Sequence, residues 1–190
     1  MKPLLRLLVL LPLALPAGLL AAQNLVTNGG FETGDFTGWT HDSYFYGIAF
    51  FDSGSHSGTY NLGLGSGSDW TLSQDLATEA GQTYELSFWL SVKVGSYPDD
   101  PFAVNVDSFN LFTAASLPDT NAYNKYSFLF TAASASSTLS FIHHNHSYFY
   151  LDDVSVTAVP EPATYALLAG LAVLLLAAWR RQRQIPDPAA

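Results

Sequence analysis

An all-β fold, a two-sheet antiparallel β-sandwich, is predicted for the central 136 residues, 23–158, from three observations. Aromatic and β-branched side chains alternate there with polar ones, as they do on strands with one buried face. Gly, Ser, Asn and Asp interrupt the alternation at short intervals, and no helical period persists beyond a turn or two. In chain order, strands are expected around 44–51, 70–76, 83–94 and 102–112, then through Tyr126, Phe128 and Phe130, through Leu139 and Phe141, and through Val154 and Val156. The clearest is 83–94, where Tyr84, Leu86, Phe88, Leu90, Val92 and Val94 share one face and Thr83, Glu85, Ser87, Trp89, Ser91 and Lys93 the other. Turns are expected at Asn28-Gly29-Gly30, 63–68 and 97–101, and Phe31, Trp39 and Trp70 are expected in the core. About eight to ten short strands in this length fit a sandwich.

Different physics governs the two ends. Lys2 and Arg6 precede a leucine-rich run to Leu20, and Ala21-Ala22 follows, so residues 1–22 read as a secretory signal peptide, and the mature chain starts near Gln23 or Asn24. Pro3, Pro12 and Pro16 suit a removed leader better than a permanent span. At the other end, Pro160-Glu161-Pro162 is followed by 17 uncharged residues, 163–179, then Arg180, Arg181 and Arg183. As a helix that run measures about 25 Å, at the short end of what crosses a hydrocarbon core of about 30 Å. A single C-terminal transmembrane helix is expected, with the arginines on the cytoplasmic side, Trp179 at the headgroups and the body outside.

The order of motif, apolar run and basic cluster over 159–183 resembles the PEP-CTERM proteins of Gram-negative bacteria. That resemblance implies export across the inner membrane and recognition of Pro160, Glu161, Pro162, Arg180 and Arg181 by an exosortase, a membrane peptidase. After transient anchoring the body would reach the cell surface or a biofilm matrix rich in exopolysaccharide. Residues 184–190 form a short tail beyond the arginines, where the pattern often stops sooner.

Charge narrows the partners. Within 23–158 only Lys93 and Lys125 oppose fourteen carboxylates, a net charge of −12. Such a surface repels nucleic acid and suits calcium or a neutral polysaccharide. The chain has no cysteine, which removes disulfides, thiol nucleophiles and Cys-zinc sites.

The body opens with Asn24-Leu25-Val26-Thr27-Asn28-Gly29-Gly30-Phe31-Glu32, then Gly38-Trp39. It carries His56-Ser57-Gly58 in the middle and closes with Tyr150-Leu151-Asp152-Asp153-Val154-Ser155-Val156. These segments resemble the jelly-roll carbohydrate-binding modules of the CenC-like type. That resemblance implies first and last strands side by side and a structural calcium held by Glu32 and Asp152, with Asp153 a weaker candidate. Carboxylates are the ligands calcium requires, at about 2.4 Å. For glycan contact, Trp89 stands opposite the apolar face of its strand, and Tyr148 and Tyr150 share a parity; such aromatics could act as platforms for sugar rings.

No catalytic residue is nominated. A glycosidase needs two carboxylates at a set separation, which sequence does not supply, and there is no Gly-x-Ser-x-Gly elbow. His143, His144 and His146 crowd together; a polar hairpin through 144–147 explains them better than a metal site. The expected function is that of a sorted surface or matrix protein without catalytic activity, with carbohydrate binding as the alternative and a glycan-active hydrolase last.

Overall fold

Period-two alternation builds nearly all of the body. The computed structural model describes residues 23–42, 48–51, 54–65, 69–93, 101–114, 117, 121–143, 148–160 and 162–183. The strands are β1 (Thr40–His41), β2 (Ile48–Phe51), β3 (Asn61–Leu64), β4 (Trp70–Ala77), β5 (Thr83–Val92), β6 (Phe102–Val106), β7 (Phe109–Ala114), β8 (Asn124–Thr131), β9 (Ser136–His143) and β10 (Phe149–Ala158), followed by helix α1 (Pro162–Arg183). The first sheet has the order β1-β4-β9-β6-β7 and the second β2-β3-β10-β5-β8. Every pairing in both is antiparallel. The body, Ala22–Pro160, is one compact unit, and α1 belongs to another. The expected leader, 1–22, lies outside the described residues.

The core is aromatic. Phe141 on β9 lies at its centre, 5.2 Å from Phe88 of the opposite sheet edge-to-face and 6.2 Å from Phe102. Phe31, Trp39 and Trp70 are buried as expected. On β5 the expected apolar face is buried throughout from Tyr84 to Val92, because it faces the other sheet.

Three expectations change. Residues 102–112 form two strands: Asp107, at φ 54°, turns the chain back between β6 and β7. Gly63 belongs to buried β3 and not to a turn, paired with Ala49 of β2 on one side and Tyr150 of β10 on the other. His143 is buried at the end of β9, and β9 and β10 lie in different sheets, so the link through 144–147 is a crossover and not a hairpin. His144 and His146 lie outside the described residues.

Helix α1 begins at Pro162, where proline's missing N–H costs nothing. Leu167, Val173, Leu174, Leu175, Leu176 and Trp179 are between 49% and 68% exposed, so apolar surface surrounds the helix. Among the described residues no helix is long and apolar enough to cross a membrane.

Candidate functional site: a carboxylate-held loop beside an aromatic face

The opening segment is laid along β10. Leu25 N–H donates to Val156 O (2.8 Å) and Val154 N–H to Gly29 O (2.9 Å). The side chain of Asn24 spans the same strand, accepting the Val156 N–H on Oδ1 (2.9 Å). This contact brings Glu32, at the start of the body, beside Asp152 and Asp153, at its end. All three crowd Gly30: a Cβ built there would lie 3.5 Å from Asp153 Oδ1, 3.7 Å from Glu32 Cγ and 3.8 Å from Asp152 Oδ1.

The three carboxylates hold one loop, 54–60. Glu32 Oε1 accepts the N–H groups of Thr59 and Tyr60, both at 2.9 Å. Asp152 Oδ2 accepts those of His56 (2.8 Å) and Ser57 (3.3 Å), and Oδ1 that of Asp153 (2.7 Å). Asp153 Oδ1 takes the hydroxyl of Ser57 (2.7 Å), and its Oδ2 lies 2.6 Å from His56 Nδ1. A register shift in β10 between Asp152 and Ser155, with Asp153 at φ 48°, aims two successive carboxylates at the same loop. Ser57 and His56 thus both bind Asp153, which stands between them; a nucleophile–base pair would instead touch directly.

Asp152 is fully buried. Burial pushes its carboxyl up to about 6, against the backbone N–H groups of Ser57, Asp153 and His56, which pull it down. The same burial, followed by the charge of Asp152, drives the Tyr123 hydroxyl well above the usual phenol range. That hydroxyl is enclosed and makes no hydrogen bond among the described residues. Because the Asp152 pKa is raised on folding, its contribution favours the fold below about pH 4 and is lost as pH rises through about 6. In EDTA, the melting midpoint of the parent should therefore fall relative to Asp152→Asn between pH 4 and 7. Parallel profiles would reject the assignment.

His56 does more than close the loop. Its ring stacks on Trp89, with centroids 3.7 Å apart and planes 17° from parallel, and Tyr123 meets it edge-on at 5.6 Å. Trp89 does face outward from the second sheet, but it is half-buried and the imidazole covers it, so it is not the open platform expected. Tyr148 is 45% exposed, with Lys93 Nζ 5.4 Å over its ring, while Tyr150 is half-buried opposite Ser91. Trp89 pairs with Asp152, so Trp89, Tyr150 and Tyr148 occupy one outward face of β5 and β10. The outward positions of the first sheet are different: Thr71, Ser73 and Asp75 on β4, Thr138, Ser140 and Ile142 on β9, and Ala103 and Asn105 on β6. Sequence reasoning missed Tyr123 and the stacking of His56; both depend on loops meeting in space.

With this geometry in place, comparison with known proteins becomes specific. Residues 23–147 match the family model described as a carbohydrate binding domain. The chain belongs to that family. Residues 158–183 match the PEP-CTERM protein-sorting motif, which implies export and exosortase-mediated sorting to the surface. No curated protein matches the chain. Among solved structures, the carbohydrate binding domain resembles TmCBM61, determined in complex with β-1,4-galactotriose. The identity is 17% and the TM-score 0.57, over 73% of this chain and 100% of that one. It also resembles the CBM22-1 xylan-binding domain of Xyn10C from Paenibacillus barcinonensis (19%, TM-score 0.57, 74% and 97%). A third is the K1 cleaved adhesin domain of Lys-gingipain from Porphyromonas gingivalis W83 (15%, TM-score 0.56, 69% and 96%). At these identities the likeness establishes the carbohydrate binding domain's jelly-roll fold.

Proposed function

We propose that the chain is a non-catalytic glycan-binding protein of the cell surface or biofilm matrix, which grips neutral exopolysaccharide on the outward face of β5 and β10. The observation that carries this reading is the gathering of Tyr148 and Tyr150 on that face, beside Trp89 under its His56 ring, while the first sheet's outward positions on β4, β9 and β6 bear no aromatic. Aromatic rings take the apolar faces of sugars, and the phenol hydroxyls of Tyr148 and Tyr150 bond sugar hydroxyls, Ser91 and Asp152 being buried. A body charge of −12 disfavours anionic polymers. Affinity electrophoresis of the full chain through gels containing the host's polysaccharides tests it: retardation is expected, and none by any polysaccharide would reject it.

The sorting tail supports delivery. In this reading exosortase takes Pro160, Glu161 and Pro162, with α1 and its arginines as the membrane-seated part, and releases the body from the tail. Mass analysis of the surface protein decides, since retention of 162–183 in the released form would count against it.

Calcium belongs to the same proposal. Glu32 and Asp152 flank Gly30, and the lone pairs left by their N–H donors would give an ion two carboxylates. Among the described residues no group of three or more His, Asp or Glu side chains could hold a metal, so backbone oxygens must complete the shell. Calcium bound there would tie the opening segment to β10 more firmly. The melts described above, repeated with calcium in place of EDTA, should give a higher midpoint; an unchanged midpoint would remove the ion.

A further inference from the structure

The two sheets are sealed unequally along the side where their edge strands β7 and β8 face each other. At one end Phe112 of β7 packs 5.3 Å from both Tyr126 and Phe128 of β8. At the other end the seal fails, and the cause is a bulge. Val104 pairs with Phe112 and Asn105 with Asn110, so Leu111 is an extra residue, and Phe109 then pairs with Val106. Directly paired residues share a face, and Val106 faces the core; Phe109 is therefore turned to the core side, yet it is 63% exposed. What lies beside it is a cavity of about 290 Å³, with Val106 and Phe130 as a buried floor, Phe109 and Leu111 as a wall, and Asp107 and Thr131 at the rim.

The rim is fixed. Asp107 is tied to β9 twice: its N–H donates to Thr138 O and its Oδ1 accepts the Thr138 N–H, both at 2.8 Å. Thr131 is turned to the outward face of β8, its Oγ1 3.3 Å from that of Thr83, and meets the slot only at its edge. A carboxylate is thus held over an apolar slot whose most exposed wall is a phenyl ring. The volume sits at the small end of ligand sites, room for one ring and not for a polymer. A carboxylate at the mouth of an acidic protein accepts hydroxyl protons and turns away anions, whereas the floor offers nothing to a polar group. A ligand that fits both has hydroxyls on one side and an apolar substituent on the other.

We propose that this slot binds a single neutral sugar of the 6-deoxyhexose class, its methyl group on Val106 and Phe130, its ring against Phe109 and its hydroxyls on Asp107. The choice of a sugar rests on the glycan-binding reading above; the location does not, since the slot shares no residue with the face of β5 and β10. It would let the protein hold a polysaccharide along that face and a deoxysugar terminus at a second point.

The test uses the full chain in lipid nanodiscs, with saturation-transfer NMR and calorimetry. The probes are methyl α-L-rhamnoside, methyl α-L-fucoside, methyl α-D-glucoside and glucuronate. At least one 6-deoxyhexoside should bind at least fivefold more tightly than the glucoside, and glucuronate should not bind. Phe109→Ala should weaken that binding at least tenfold, Leu111→Trp should abolish it by filling the slot, and Tyr148→Ala should leave it unchanged. Absence of binding, or sensitivity to Tyr148→Ala and not to Phe109→Ala, would overturn the proposal. Displacement of the sugar by hexanol at equal concentration would mark a general apolar cavity and also reject it. Loss of polysaccharide retardation in Tyr148→Ala with 6-deoxyhexoside binding intact separates the two sites, and retardation by no polysaccharide while the slot still binds would fail the face alone.

Discussion

Gly29→Ala should destabilise the body by about 4 kcal/mol, roughly 15 °C in melting midpoint, although alanine is otherwise a benign substitution. A Cβ at this position would lie 2.0 Å from Val154 O and 3.0 Å from Val154 C, both backbone atoms of β10 that no side-chain rotation can clear. Relief requires the opening segment to leave β10, which forfeits the Val154-to-Gly29 hydrogen bond, the Leu25-to-Val156 hydrogen bond and the burial of Val26. Overpacking ordinarily costs 1–3 kcal/mol, and the loss of a docked segment adds to that. Gly81→Ala is the contrast, since Gly81 has nothing within 4 Å and a φ of 85°. Only backbone strain operates there, at about 1 kcal/mol. Calorimetry of both variants separates the causes; a Gly29→Ala midpoint no lower than that of Gly81→Ala would mean that the opening segment contributes little.

Tyr148→Ala is expected to weaken polysaccharide retardation about tenfold and leave the melting midpoint within 2 °C, because an exposed ring contributes to binding without supporting the core. Trp89→Ala should lower both. Its indole carries the His56 ring, so its removal also loosens the carboxylate-held loop, at about 2 kcal/mol. Affinity electrophoresis with parallel melts gives both quantities. Unchanged retardation in both variants would place glycan binding elsewhere on the molecule.

Much of this fold was legible because its determinant is local. On β5 Tyr84, Leu86, Phe88, Leu90 and Val92 declare one face by type, and the structure buries that face. The failures have a common origin in non-local geometry. Residues 102–112 keep an apolar pattern through the reversal at Asp107, so the pattern could not reveal the turn. Gly63 looks like a turn residue until β2 and β10 pack on either side of it. Glu32 and Asp152 could be paired only through the motif resemblance, because 120 residues separate them. No spacing rule could place His56 on Trp89, or make Leu111 the extra residue that opens the slot at Phe109.

Strand β10 has a mechanical consequence. It is bonded on one side to β3, on the other to β5, and further along to the opening segment, and the chain leaves it at Val159 on the way to the sorting tail. A tug delivered through that exit loads hydrogen bonds on both flanks together, in shear, instead of unzipping them singly from an edge. The sorting motif thus follows directly on a strand that is bonded on both sides and not on an edge.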